Sequence, residues 1–241
     1  MIRPSRPNTL DNTTLVAPSD RKEVAIAIQR LKLKKASGHD GLPAELFKAG
    51  GDELVRCIHH LLCNIWSLES MLSDWSLRLL CPVLKKNVAT ICNNYHGISL
   101  LTIAYRIMSS VPCERLKPFV NKLIGSYLCG FRPGKSTIEQ ICTLRQILEK
   151  TQEKQIVTQP LFVDFKSAFD TPHGAQLYAT LSGFGISAKL IRIFEMILKN
   201  AKCVVKFGNN LFNLSGASDK VIPYPAISST SLWRELSARL A

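Results

Sequence analysis

Apolar residues recur every three or four positions along most of this chain, and they gather into strand-like runs at only three short places. That imbalance restricts the chain to a mostly helical α+β fold, because helices interleaved with so few strands cannot build a barrel or a sandwich. Residues 1–18 are rich in Asn, Thr, Pro and Ser and read as a poorly ordered lead-in. A helix starts at Ser19 or Asp20, with Glu23 placed to complete a capping box with Asp20, and carries Val24, Ala27, Ile28 and Leu31. Its end is read at Lys32, Lys34 and Lys35, where cations suit the helix dipole, with Gly38 as the stop. A second helix is expected over roughly 43–68, a third over much of 98–123, and others over about 136–153, 174–183 and 187–200. The helix over 136–153 presents Ile138, Ile141, Leu144, Ile147 and Leu148 on one face. The strand-like runs are Leu77–Leu84, Leu161–Phe165 and a hairpin over Cys203–Leu214, turned by Gly208-Asn209-Asn210. Pro82 assigns the first of them to a sheet edge. Residues 130–134 read as a turn.

The chain has 31 Lys and Arg against 18 Asp and Glu, a formal net charge of +13 over 241 residues. Such a surplus suits a polyanionic partner, since cation–phosphate contacts release counterions and dominate nucleic-acid affinity. No basic amphipathic helix points to a membrane surface, no apolar stretch is long enough for a span, and the first residues lack the core of a secretion signal. The eight cysteines are scattered without a C-x-x-C pair, so they read as small buried hydrophobes in an intracellular, reducing compartment.

One segment carries chemistry on its face. Leu161-Phe162-Val163-Asp164-Phe165 runs an apolar strand into a carboxylate, just ahead of Asp170. A carboxylate in that setting needs a partner, and a divalent metal poised for nucleotidyl transfer is one. The plainer reading is that Asp164 closes a strand and Asp170 caps a helix.

Neighbouring motifs favour the first reading. Lys34-Lys35-Ala36-Ser37-Gly38-His39-Asp40-Gly41-Leu42-Pro43-Ala44-Glu45-Leu46, then Trp75 with Pro82-Val83-Leu84-Lys85-Lys86, then Asn94-Tyr95-His96-Gly97-Ile98-Ser99-Leu100-Leu101, and Cys129-Gly130-Phe131-Arg132-Pro133-Gly134-Lys135-Ser136-Thr137 precede the Asp164 block. In that order and spacing they resemble the reverse transcriptase of RTE-type LINE (non-LTR) retrotransposons over roughly residues 20–214. The resemblance implies a right-hand polymerase of which this chain holds the fingers and part of the palm, with a small incomplete antiparallel sheet. It divides the chain into a fingers-like region with the start of the palm (19–155), a partial palm (156–215) and an unrelated tail (216–241). It makes Asp164 the first metal-binding carboxylate, with the Phe165 carbonyl beside it on Mg²⁺. It makes Phe169 the ring that selects deoxynucleotides, and it puts Lys85 or Lys86 on the incoming triphosphate. Arg132 and Lys135 fall to the nucleic acid. The partners implied are an RNA template, a DNA primer and deoxynucleotides; nothing in the sequence names a protein partner.

The pattern also breaks. His96 stands where those enzymes have an arginine, and a neutral imidazole lacks a guanidinium's permanent charge and fork. Leu128, Gly174 and Asn87 replace a glutamine, an arginine and a glycine. The motif Gly-Val-Arg-Gln-Gly and the Tyr-Ala-Asp-Asp hairpin, with the other two metal carboxylates, do not occur. Codons for the stretch beginning at Gly216-Ala217-Ser218-Asp219-Lys220-Val221, read one base earlier, can spell Gly-Val-Arg-Gln-Gly-Asp-Thr-Leu-Ser. Residues from about 216 onward are therefore expected to be an out-of-frame tail. The expectation is a truncated reverse transcriptase without polymerase activity of its own. The alternatives are a non-catalytic nucleic-acid-binding module, or a chain with no function that folds poorly.

Overall fold

The computed structural model describes residues 16–84, 88–90, 94–123, 127–130, 134–163, 174–198, 202–208 and 210–213. Helix α1 (Arg21–Gln29) begins as its sequence dictates. Asp20 caps it, and the Asp20 backbone N–H donates to the Glu23 carboxylate at 2.7 Å, closing the capping box. It stops at Arg30, earlier than the lysines suggested. Lys34 sits at φ 56°, and its N–H donates to Glu45 at 2.6 Å, so these cations belong to a linker pinned on α2 (Ala44–Ala49), not to a last helical turn. Nor does Gly38 act as a helix stop. A Cβ there would lie 2.5 Å from the Thr102 backbone nitrogen, so glycine is required by a close backbone approach.

The single helix expected over 43–68 is two, α2 and α3 (Gly51–Leu68), broken where Gly51 takes φ 61°. After a 3₁₀ turn (Ser73–Ser76), β1 (Leu77–Leu84) pairs antiparallel with β2 (Tyr95–Leu100), a strand whose last three residues the sequence pattern assigns to the following helix. Helix α4 (Ile103–Leu123) follows and forms the centre of the core. It contains Pro112 and Pro118, each of which costs a helix about 3 kcal/mol. Burial of Ile103, Tyr105, Ile107, Met108, Val111, Leu116 and Val120 outweighs that cost, at about 1.5–3 kcal/mol for each large side chain.

Helix α5 (Thr137–Glu153) is capped by the Ser136 hydroxyl, which accepts from the Ile138 N–H at 3.0 Å. Helices α6 (Gly174–Gly183) and α7 (Ala188–Leu198) close the core with Leu177, Leu181, Leu190, Ile193 and Ile197. The hairpin β3 (Lys202–Phe207) and β4 (Asn210–Asn213) forms where expected, with Gly208 at φ 61°.

The sheet order is β2-β1-β3-β4, and β1 runs parallel to β3, so the sheet is mixed, not antiparallel. A parallel neighbour needs a long crossover, and helices α4 to α7 supply it. Strand β1 is therefore central, against the edge assignment that Pro82 suggested. The proline is tolerated because β3 pairs only with Leu77–Leu80, leaving Pro82 with β2 alone. The run Leu161–Val163, expected as a strand, is in no strand and is exposed (87%, 78% and 65%). Both sides of β1 are already taken, and the open edges of the sheet belong to β2 and β4, with which Leu161–Val163 forms no strand pairing among the described residues. Helix α5 likewise leaves Ile138 and Ile141 exposed, with no described element covering its apolar face.

The N-terminal region is tied across three helices by one side chain. Arg115 on α4 forks onto Glu23 at 2.7 and 2.6 Å, donates to the carbonyls of Ala17 and Pro18, and lies 5.1 Å over the Trp66 ring. Trp66 in turn donates to the Val16 carbonyl at 3.0 Å. Residues 16–18, placed in the poorly ordered lead-in, are thus held. Burial alone would raise the Glu23 carboxyl, but the Arg115 and Asp20 hydrogen bonds outweigh it and hold it below its usual range.

A second cluster joins Glu69, after α3, to Arg192 and Lys189 on α7. The Arg192 and Lys189 hydrogen bonds hold the Glu69 carboxyl at about 2.

Replacing Arg115 by Met is expected to cost roughly 2–4 kcal/mol in denaturant unfolding, since it strands a partly buried carboxylate and two carbonyls. Replacement by Lys should recover only part, because an ammonium cannot serve four acceptors in a fork. Gly38→Ala should cost about 1–3 kcal/mol by overpacking against backbone. For Glu69 the sign follows from a lowered folded pKa: its stabilisation is complete above the ordinary carboxylate range and vanishes as pH falls toward about 2. The difference in melting temperature between the native chain and Glu69→Gln should therefore shrink across that window. It should also shrink in high salt, since the partners are partly exposed.

Candidate nucleic-acid and nucleotide site

Strands β1 and β2 are the scaffold of the basic loop. They pair out to Leu84 and Tyr95, so the chain leaves and re-enters the sheet at adjacent points on either side of the 85–94 segment. Its described part is braced by the strand that follows. Asn94 donates through Nδ2 to the Val88 carbonyl at 3.0 Å, and the Tyr95 hydroxyl donates to the Ala89 carbonyl at 2.9 Å. These two residues give the Asn-Tyr of the sequence motif a physical role that pattern reading did not assign. Gly97 also has a spatial reason: a Cβ there would meet a Leu80 methyl at 2.7 Å. Lys85 and Lys86 lie outside the described residues, as does the His96 side chain.

The second basic element is the turn ahead of α5. Gln140 donates to the Tyr127 carbonyl at 2.6 Å and contacts the Cys129 sulfur at 2.9 Å, which fastens the entry of the turn to the first turns of the helix. Arg132 lies outside the described residues. Lys135 lies within them, half-exposed, with its ammonium 3.7 Å from Glu139 one helical turn on. A nucleic acid would therefore compete with a weak surface ion pair for Lys135.

Asp164, Phe165 and Phe169 all lie outside the described residues; the chain approaches them through the exposed Leu161–Val163 and resumes at α6. Among the described residues no group of three His, Cys, Asp or Glu could hold a metal ion. The donor set that the sequence assigns to Mg²⁺ is one carboxylate and one carbonyl. That falls short of what fixes even one octahedral ion without many waters, and it cannot hold two. No helix among the described residues is long and apolar enough to cross a membrane, and no described cysteine is in a disulfide.

The structure adds one residue that the sequence reading passed over. Arg78, in the otherwise apolar run Leu77–Leu84, is 2% exposed. Its Nη2 reaches the Tyr105 hydroxyl at 3.4 Å, and that hydroxyl donates onward to the Ile197 carbonyl at 2.9 Å. A charged residue inside an apolar strand was the available signal.

Known proteins align with this arrangement over most of the chain. The chain is 23% identical over 197 residues to the "Transposon TX1 uncharacterized 149 kDa protein" of Xenopus laevis, covering 82% of this chain and 15% of that protein. It is 24% identical over 159 residues to the "Probable RNA-directed DNA polymerase from transposon BS" of Drosophila melanogaster, covering 64% of this chain and 17% of that protein. The chain thus spans less than a fifth of the length of these curated relatives. Residues 83–224 match the family described as reverse transcriptase (RNA-dependent DNA polymerase). That stretch takes in the braced β1–β2 loop, the turn ahead of α5 and the Asp164 segment, and it is well over half of the sequence: the chain belongs to the reverse transcriptase family.

Proposed function

We propose that this chain is a fingers and partial-palm portion of a non-LTR retrotransposon reverse transcriptase of the RTE type, unable to polymerise by itself. The observation that carries the reading is the family match over 83–224, together with the motif blocks running from Lys34 to Phe169 in one order. Lys85 and Lys86 meet the triphosphate, Phe169 crowds a ribose 2′-hydroxyl, Arg132 and Lys135 meet an RNA template paired to a DNA primer, and Asp164 with the Phe165 carbonyl is what remains of a Mg²⁺ site. Catalysis fails on counting. Two-metal nucleotidyl transfer needs several carboxylates, and no Tyr-Ala-Asp-Asp occurs in the 241 residues. The family match runs on through residue 224, so the out-of-frame reading from about 216 rests on codon arithmetic alone. Sequencing the encoding DNA across those codons decides it.

Template-primed synthesis on RNA, with deoxynucleotides and Mg²⁺, should give no extension above an Asp164→Ala control. Extension above that control overturns the proposal.

The net charge of +13 supports a second reading, retained nucleic-acid binding without catalysis. RNA binding should then weaken steeply with salt, and changing Lys85, Lys86 and Arg132 together to Gln should lower the log–log salt slope by about 2, at ~0.7 per phosphate contact on single strands. Binding that ignores salt or those three residues counts against it.

A further inference from the structure

At the start of β1, away from the loop of Lys85 and Lys86, lies a pocket of about 510 Å³. Its charged lining is Glu69, Arg78, Arg192, Glu195 and Lys202, and it sits against the buried rings of Trp75 and Tyr105. The volume falls within the range of small-ligand sites, roughly 300–1,000 Å³. Arg78 is the second residue of β1 and Leu84 its last, so the pocket and the basic loop are separated by the strand's length, about 20 Å at ~3.3 Å per residue.

The charges do not balance. Three cations face two carboxylates, and Glu69 is already bound by Arg192 and by Lys189 behind it. Arg78 has no ion-pair partner among the described residues. Among the described residues its hydrogen bond goes to the neutral Tyr105 hydroxyl, and its buried Nε has no partner. A guanidinium taken out of water needs an anion or a full set of acceptors, and among the described residues this one has neither. Lys202, the exposed first residue of β3, stands at the same pocket through the parallel β1–β3 pairing.

We infer that this pocket is a phosphate-binding site, with the Arg78 guanidinium and the Lys202 ammonium as its charged donors. A planar fork beside a mobile point charge suits a tetrahedral oxyanion of charge near −2, and the remaining space admits a phosphate ester up to mononucleotide size. Tyr105 acts as a positioning residue: by donating to the Ile197 carbonyl it turns an acceptor lone pair to Arg78 and fixes the guanidinium. The inference stands independently of polymerase activity.

The test is thermal unfolding and amide chemical-shift titration of the full chain with inorganic phosphate, against sodium chloride at matched ionic strength. Phosphate should raise the melting temperature and shift signals from β1, β3 and α7. Arg78→Met, which replaces a buried charge by an apolar side chain, should abolish the phosphate-dependent rise while leaving the phosphate-free melting temperature unchanged or higher. Lys202→Gln changes an exposed side chain and should weaken apparent phosphate affinity about tenfold, the loss of one charge-assisted hydrogen bond. Lys150→Gln, a surface charge on α5, should do neither. Competition by adenosine monophosphate but not by a short single-stranded RNA would identify a free phosphate ester as the ligand, and competition by the RNA a backbone phosphate. No phosphate-dependent rise in the native chain overturns the inference, as does a rise in Lys202→Gln equal to the native one.

Discussion

The fork of Arg115 is what the helical half of the molecule depends on. Helices α1 and α3 are amphipathic and could pack on the largely buried α4 at more than one angle through apolar contacts alone, because such contacts are non-directional. Arg115 removes that freedom. It ties the Glu23 carboxylate of the α1 capping box, two carbonyls of the preceding segment and the ring of Trp66 on α3 to a single point on α4. The same glutamate that starts α1 therefore also docks it. With α1 and α3 fixed on α4, the Gly38 backbone comes against Leu101 and Thr102, and the end of β2 is set relative to the helices.

From there the sheet follows. Strand β2 ends at Leu100, two residues before Thr102, whose hydroxyl accepts from the Tyr105 N–H at the start of α4. Tyr105 then bonds α7 through the Ile197 carbonyl, and α7 leads into β3 beside β1. The parallel β1–β3 pairing is thus an outcome of helix packing, since the crossover is long and no hairpin enforces the register. Local sequence signals could not have revealed it, and the same is true of the central position of β1.

What was legible follows from the range of the forces involved. The start of α1 was readable because a cap acts over three residues: Asp20 with Glu23 is where the sequence puts it. The β3–β4 hairpin was readable because Gly208 supplies positive φ beside two short apolar runs. Breaks that depend on a distant partner were not. The lysines after α1 looked like a basic helix end because the acceptor that draws Lys34 away is Glu45, eleven residues on. The strand β2 was hidden because Tyr95–Leu100 becomes a strand only against β1. For the site, family likeness named the residues, yet of those named only Lys135 lies among the described residues, and local physics adds Asn94, Tyr95 and Gly97 as the parts that shape the loop.

The run Leu161–Val163 bears most directly on chemistry. A metal-binding carboxylate is useful only when the strand carrying it is held to within about half an ångström, by packing on one face and a ladder on its edge. Leu161, Phe162 and Val163 have neither among the described residues, and the neighbouring apolar face of α5 is uncovered as well. Among the described residues, the run that leads to Asp164 and the apolar face of α5 thus both lack partners. Positioning Asp164 would require structure that buries both, because the hydrophobic burial that rigidifies a strand is the same burial that aims its terminal carboxylate. Even with the motif written in the sequence, how firmly the aspartate is held depends on what covers Leu161–Val163.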